Sequence, residues 1–187
     1  MSRTKVKQNL IDASFGNILE YFSYTPDGRT ITTTQGDITV TNQTAQTASS
    51  ATIADTGGSA ITYTPPTGTK YVEFTYRGNW GPLDTTPVLH YRIQLDSTDI
   101  NHSKRSLYYN SVNSEGTIFL SAVIEITGSG SDDIANGKVD TWASGKVLRS
   151  AFRSYSSSYD GYANYTTRWD GSGGIYLPGF HTVTAYS

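Results

Sequence analysis

The chain contains no cysteine and a single methionine. A disulfide framework and thiolate metal sites are therefore excluded, and packing, hydrogen bonding and association have to supply stability. Charge is also scarce, at 16% Asp, Glu, Lys and Arg with a formal net charge of -2. No global field draws the chain to nucleic acid. Apolar residues make up only 36%, yet 14 Tyr, 6 Phe and 3 Trp are enough to build a core, so the chain is not an open polyelectrolyte. No apolar run reaches the roughly 18 residues of a membrane-spanning helix. The basic start, MSRTKVKQNL, has no apolar stretch of signal-peptide length. The expectation is synthesis in a cytoplasm, which leaves a later place outside the cell open.

Catalytic patterns are missing as well. The three histidines, at positions 90, 102 and 181, have no helical ligand spacing and no His-Glu-x-x-His pattern. His90 and His181 lie in strand patterns and read as structural. Asp96 with Asp99, and Asp132 with Asp133, carry hard oxygen ligands for a cation but lack the spacing of a calcium loop. Loop caps and Asx-turns explain them as well. Glu73 and Glu125 are the carboxylates a glycosidase reading would use, and a surface or inter-subunit role fits both better. There is no Gly-rich phosphate loop before a helix and no Gly-x-Ser-x-Gly elbow. The sequence implies no enzyme, no catalytic residue, no metal and no cofactor.

What is present is Thr, Tyr, Ser, Asn and Gly, a composition that favours strands over helices. Ile11, Phe15, Ile18 and Phe22 are spaced by four, three and four, which predicts one face of a short N-terminal helix in a docking arm over residues 1–25. Such a helix needs a partner surface, either the chain's own head or a neighbouring subunit. Pro26-Asp27-Gly28 predicts a turn, and TITTT followed by Gln35-Gly36 and DITVT predicts a hairpin. Residues 42–60 are small and polar, so residues 26–60 read as a β stem or a flexible linker.

From Ile61 the texture changes. The stretch ITYTPPTGTKYVEFTYRG (61–78) reads as a strand, a double proline, a turn and a second strand, the first strand pair of a sandwich. Without amide donors, Pro65-Pro66 would keep the incoming chain out of the ladder. YVEFTYR (71–77) places Val72, Phe74 and Tyr76 on one face, and VLHYRIQL (88–95) does the same with Leu89, Tyr91, Ile93 and Leu95. TIFLSAVIEIT (117–127) is apolar at Ile118, Leu120, Ala122, Ile124 and Ile126, and carries Phe119 and Val123 on its other side, which predicts a strand buried on both faces. Residues 141–155 continue a period near two, with a bulge expected at Gly145. Turn signals at regular spacing then predict a mainly β fold, an antiparallel β-sandwich of jelly-roll type over residues 61–187.

The most suggestive cluster is RSYSSSYDGYANYTTRWD (153–170). Tyr155, Tyr159, Tyr162, Tyr165 and Trp169 stand among Ser, Asn, Asp and Gly, the composition of recognition loops. Rings that stack on sugars, with polar groups holding hydroxyls, make a ligand-binding site. Tyrosines packed between subunits are the competing reading.

The segments TYTPPTGTKYVEFTYR, PVLHYRIQLD, TIFLSAVIEIT and TTRWDGSGG resemble the C-terminal domains of virion proteins from marine bacteriophages, such as those of cyanobacteria, and from some algal viruses. The likeness covers residues 60–187. It implies the head of a fibre, spike or capsid decoration, with a jelly roll of the C1q and tumour-necrosis-factor type that forms homotrimers. It further implies a place on the virion surface after synthesis in a host cytoplasm, with other virion proteins of capsid or tail as partners. A host surface glycan bound through loops 153–170 is the alternative function. The resemblance transfers no individual binding residue.

Overall fold

Alternation decides which side of each strand meets the core, and pairing decides which sheet it joins. The computed structural model describes residues 16–83, 86–108, 115–167 and 174–187. In chain order the first strands are β1 (Ile18–Tyr24), β2 (Thr30–Thr33), β3 (Gly36–Thr39), β4 (Thr47–Ala48), β5 (Ala54–Asp55), β6 (Ile61–Tyr63), β7 (Tyr71–Pro82), β8 (Val88–Leu95) and β9 (Thr98–Asp99). They are followed by β10 (Arg105–Tyr108), β11 (Gly116–Ile126), β12 (Lys138–Val139), β13 (Lys146–Ser154), β14 (Gly161–Ala163), β15 (Tyr165–Thr166), β16 (Ile175–Tyr176) and β17 (Phe180–Tyr186). The expected mainly β sandwich is what the structure shows.

The larger sheet runs β1-β17-β7-β11-β12, and the end of β7 pairs with β14, which in turn holds β4. The second sheet runs β10-β8-β13-β5, with β6 also on β13 and β9 on β8. Each sheet has one long central strand with a continuous partner on one side and two shorter strands in succession on the other. β7 has β11 opposite residues 71–80, then β17 and β14 on its far side. β13 has β8 opposite residues 148–154, then β6 and β5.

The inner faces are those the alternation predicts. Val72, Phe74, Tyr76 and Trp80 of β7 are buried, as are Leu89, Tyr91, Ile93 and Leu95 of β8, Ile118, Leu120, Ala122 and Ile124 of β11, and Leu148 and Phe152 of β13. They form one hydrophobic cluster shared by both sheets. Polar bonds also cross it. Ser150 Oγ on β13 lies 3.3 Å from His181 Nε2 on β17, and 2.5 Å from Thr56 Oγ1. Tyr76 donates to Asn164 Oδ1 at 2.9 Å, and the Asn164 amide donates to the Thr56 carbonyl. Buried polar groups satisfied in this way fix the register of the two sheets without an exposed charge. Asn164 holds a left-handed φ of 60°, which asparagine tolerates better than most residues.

Four expectations are corrected. The helix placed over Ile11, Phe15, Ile18 and Phe22 is not present at its second half: Ile18 and Phe22 belong to β1, while Ile11 and Phe15 lie outside the described residues. A spacing of four suits a strand face as well as a helix face, and ILEYFSY is rich in strand-forming aromatics. A register shift between Ile18 and Glu20 then separates the two, leaving Ile18 exposed and Phe22 buried. Second, Ile61–Tyr63 and Tyr71–Pro82 do not pair with each other: the first joins β13 and the second joins β11. The double proline marks a crossing between sheets, closed by a turn in which the Thr69 amide and hydroxyl both donate to the Pro66 carbonyl. Third, β11 is not buried on both faces, because Phe119 points outward and is 61% exposed. Fourth, Trp142 and Gly145 precede β13 and lie outside any strand, so no bulge forms there.

The predicted turn at Pro26–Gly28 and the hairpin β2–β3 are present, with Gly28 at φ 80°. The residues read as a stem or linker give β4 to one sheet and β5 to the other, and place Ile38 and Val40 in the core. Glu20 ties the hairpin to the sandwich, accepting from the Thr34 amide at 2.6 Å and from the Tyr63 hydroxyl at 2.8 Å.

Candidate functional site: two exposed surfaces

The tyrosines of 153–170 form two ring-contact pairs. Tyr155 and Tyr159 meet edge to face with centroids 5.9 Å apart, and Tyr155 lies 6.2 Å from His90 of β8. This pair follows the end of β13 and is held by backbone bonds, since the Tyr155 amide donates to the Val88 carbonyl and the Val88 amide to the Tyr159 carbonyl. Tyr155 is 64% exposed. Tyr162 and Tyr165 form the second pair, at 4.8 Å and 45°, on β14 and β15 beside the larger sheet. Tyr165 lines a cleft of about 390 Å³ with Asn79, Glu115, Thr117, Thr166 and Leu177. Glu115 closes that cleft, accepting from the Thr166 hydroxyl at 2.9 Å and the Thr167 amide at 2.6 Å. Trp169 lies outside the described residues. The single aromatic site expected from the sequence is thus two surfaces, because β14 leaves the β13 sheet to pair with β7.

Beside the first tyrosine pair, β8, β10 and β13 enclose a cleft that sequence reading missed. Register places Ser106, His90 and Arg153 abreast across the three strands. Arg92, Lys104, Arg105 and the carboxylate of Asp99 complete the lining. His90 Nδ1 lies 2.8 Å from Ser106 Oγ. Burial, then the guanidinium groups of Arg153 and Arg92, hold the His90 pKa below its ordinary value, as expected where the proton would meet other cations. The signal was partly visible, since alternation puts His90, Arg92 and Gln94 on one face of β8. Arg153 reaches them only through the β8–β13 pairing, which no local pattern records.

The aspartates considered for a cation have protein partners. Asp99 accepts from Gln94 Nε2 at 2.7 Å and pairs with Arg92 at 3.0 Å and Lys104 at 3.5 Å. Asp96 accepts from the Val147 amide at 2.9 Å, Asp132 from the Asp140 amide at 2.7 Å, and Asp133 from Asn136. Glu73 accepts from Ser121 and Tyr186, and Glu125 faces Lys138 at 3.8 Å.

The second exposed surface is the outer face of the larger sheet. Phe119, Arg77 and Phe180 stand abreast on β11, β7 and β17, and the two phenylalanines are 61% and 45% exposed. The far edge is β1, where Ile18, Leu19 and Tyr21 are exposed.

The fold defines a β-sandwich whose strands pair antiparallel except for β11 with β12. Comparison with solved structures finds similarity to the infectious bursal disease virus VP2 subviral particle, at 9% identity and a TM-score of 0.39, over 89% of this chain and 32% of that one. It also finds similarity to a structure of the Gt strain of the same virus, at 11% identity and a TM-score of 0.29, over 91% of this chain and 36% of that one. The chain therefore spans about a third of the length of either structure. No family model matches the sequence, and neither does any curated protein. Likeness of this degree defines neither a family nor a function.

Proposed function

We propose that the protein is a structural, non-catalytic component of a bacteriophage virion surface, such as a capsid decoration, head fibre or tail-associated spike, and that it assembles as a homotrimer. The observation that carries this reading is the outer face of the larger sheet. Phe119 and Phe180 flank Arg77 in the open, and Ile18, Leu19 and Tyr21 form a second exposed apolar group at the β1 edge, separated from the first by Thr182 and Thr184 of β17. Exposed aromatics around an arginine are the composition of an interface core, and an edge strand, as β1 is among the described residues, invites pairing. A closed ring of three copies would bury both features. Ile18, first read as a helical docking residue, keeps that docking role on a strand.

Light scattering of the purified protein tests this. The expected mass is three times the 20.4 kDa of the chain. The double variant Phe119→Ser, Phe180→Ser should shift it to the monomer while the far-UV circular dichroism stays unchanged, because exposed positions contribute little to monomer stability. A clean monomer of the unaltered protein at micromolar concentration, with no association with particles, overturns the reading.

The exposed Tyr155–Tyr159 pair favours a second role, recognition of a host surface glycan. It is compatible with the first, since a surface subunit also meets the host. Adsorption to host cells by Tyr155→Ala and Tyr159→Ala variants tests it, and unchanged adsorption removes it.

A further inference from the structure

The cleft between β8, β10 and β13 is a concentration of positive charge on a chain whose net charge is -2. Four cationic side chains, Arg92, Lys104, Arg105 and Arg153, line it against the one carboxylate of Asp99. Asp99 is shared between Arg92 and Lys104. Arg105 donates to the carbonyls of Lys104 and His102 at 2.8 and 3.3 Å, which leaves its charge unbalanced by any carboxylate among the described residues. Arg92 is 8% exposed, and the Nε atoms of Arg92 and Arg153 are buried with no partner among the described residues. Buried guanidinium nitrogens without acceptors are costly, and a bound anion lowers that cost through the field if not through each nitrogen.

We infer that this cleft is the acid-binding subsite of a glycan site, taking the carboxylate or sulfate of an acidic sugar while Tyr155 and Tyr159 cover the sugar ring. The inference deepens the glycan reading above and rests on it. The cleft volume, about 210 Å³, fits a single acidic group with part of its ring and not an extended polyanion. Tyr155 sits at the rim, next to His90, where a ring attached to that group would lie. Ser106, bonded to His90 Nδ1, adds a hydroxyl at the same rim. A nucleic acid would need a basic track that neutralises several phosphates in a row.

The test is calorimetric titration of the full chain with alginate oligosaccharides, oligosaccharides of dextran sulfate, uncharged dextran oligosaccharides, and a single-stranded oligodeoxynucleotide of matched charge, with His90 followed by NMR. The acidic sugars should bind, the uncharged dextran should bind at least about tenfold more weakly, and Arg153→Gln should weaken the acidic sugars by about tenfold or more. Arg105→Gln, at an exposed position, should weaken them in the same direction without affecting folding. Binding should also raise the His90 titration midpoint, since an anion would offset Arg92, Arg105, Lys104 and Arg153 around it, with Asp99 the one acid of the described lining. Equal binding of charged and uncharged sugars, lost in Tyr155→Ala, overturns the acid subsite and leaves the glycan reading standing. Binding of no sugar at all overturns both. Tighter binding of the oligodeoxynucleotide, or acidic-sugar binding unchanged in both arginine variants, overturns the inference.

Discussion

Acidification should weaken this fold through His181. The imidazole is buried between sheets, stacked 4.7 Å from Tyr24 and 5.8 Å from Phe74, with Tyr76 at 5.0 Å. Burial lowers its pKa from 6.5 to about 3 in the folded protein, and its Nδ1 has no hydrogen-bond partner among the described residues. Between these two values the unfolded chain carries a proton that the folded chain excludes. The unfolded state therefore binds more protons, and stability falls as pH drops below 6.5. The slope approaches roughly 1.4 kcal/mol per pH unit, so by pH 4.5 the loss from this one residue is roughly 2–3 kcal/mol, on the order of a hundredfold in the folding equilibrium. The assay is urea unfolding at pH 7.0, 5.5 and 4.5, comparing the unaltered chain with His181→Phe. Phenylalanine keeps the aromatic stack, and Ser150 keeps Thr56 as its partner. Other acids, such as Asp27 and Asp99, titrate in both proteins and cancel in the difference. The unaltered chain should lose roughly 2–3 kcal/mol more than the variant between pH 7.0 and 4.5. Parallel pH profiles would refute the claim that His181 is neutral in the folded core.

Trp142→Phe removes the Nε1 donor from the Tyr63 carbonyl, 2.9 Å away and buried, and should cost about 1–3 kcal/mol by urea titration. Gly78→Ala should cost about 1–3 kcal/mol, because its Cβ would fall 2.0 Å from the Tyr76 hydroxyl and break the bond to Asn164; thermal melts of Gly78→Ala and Asn164→Ala should show non-additive losses. Gly58→Ala, at φ 67° with Pro26 Cβ 2.6 Å from the new methyl, should lower stability by more than about 1 kcal/mol. Pro65→Ala with Pro66→Ala loosens the crossing between sheets and frees the unfolded chain; the expected loss is about 1–2 kcal/mol in urea unfolding, spread over both residues.

Alternation alone made the inner faces of 71–77, 88–95 and 117–127 legible, because a period of two is a local property. The partition into sheets was not legible in the same way. Ile61–Tyr63 and Tyr71–Pro82 are neighbours in the chain yet lie in opposite sheets, and only their distant partners β13 and β11 decide that. Phe119 misled for a related reason: an apolar residue on the second face of a strand marks a buried face or an interface, and the single chain leaves it open. The N-terminal spacing of four was compatible with either period, and the tertiary partner β17 decided for a strand. The tyrosine cluster was found in part, as residues whose exposure suits recognition. The arginines beside it were not, since Arg92 and Arg153 meet only through strand pairing across sixty residues of chain.

The order of pairing carries a kinetic consequence. β1 is completed by β17, β4 by β14, and β5 and β6 by β13, so early segments wait for late ones. Long loops must close before these contacts reward the chain, which slows folding. On a ribosome β1, β4, β5 and β6 would emerge without their partners, and β1 could not be sealed until residues 181–186 had been made. Folding of the sandwich should therefore wait until β17 has been made, and then take milliseconds to seconds. During that interval the apolar edge at Ile18–Tyr21 is open to other nascent chains, and a shared polysome would bring identical edges together before any monomer had finished folding.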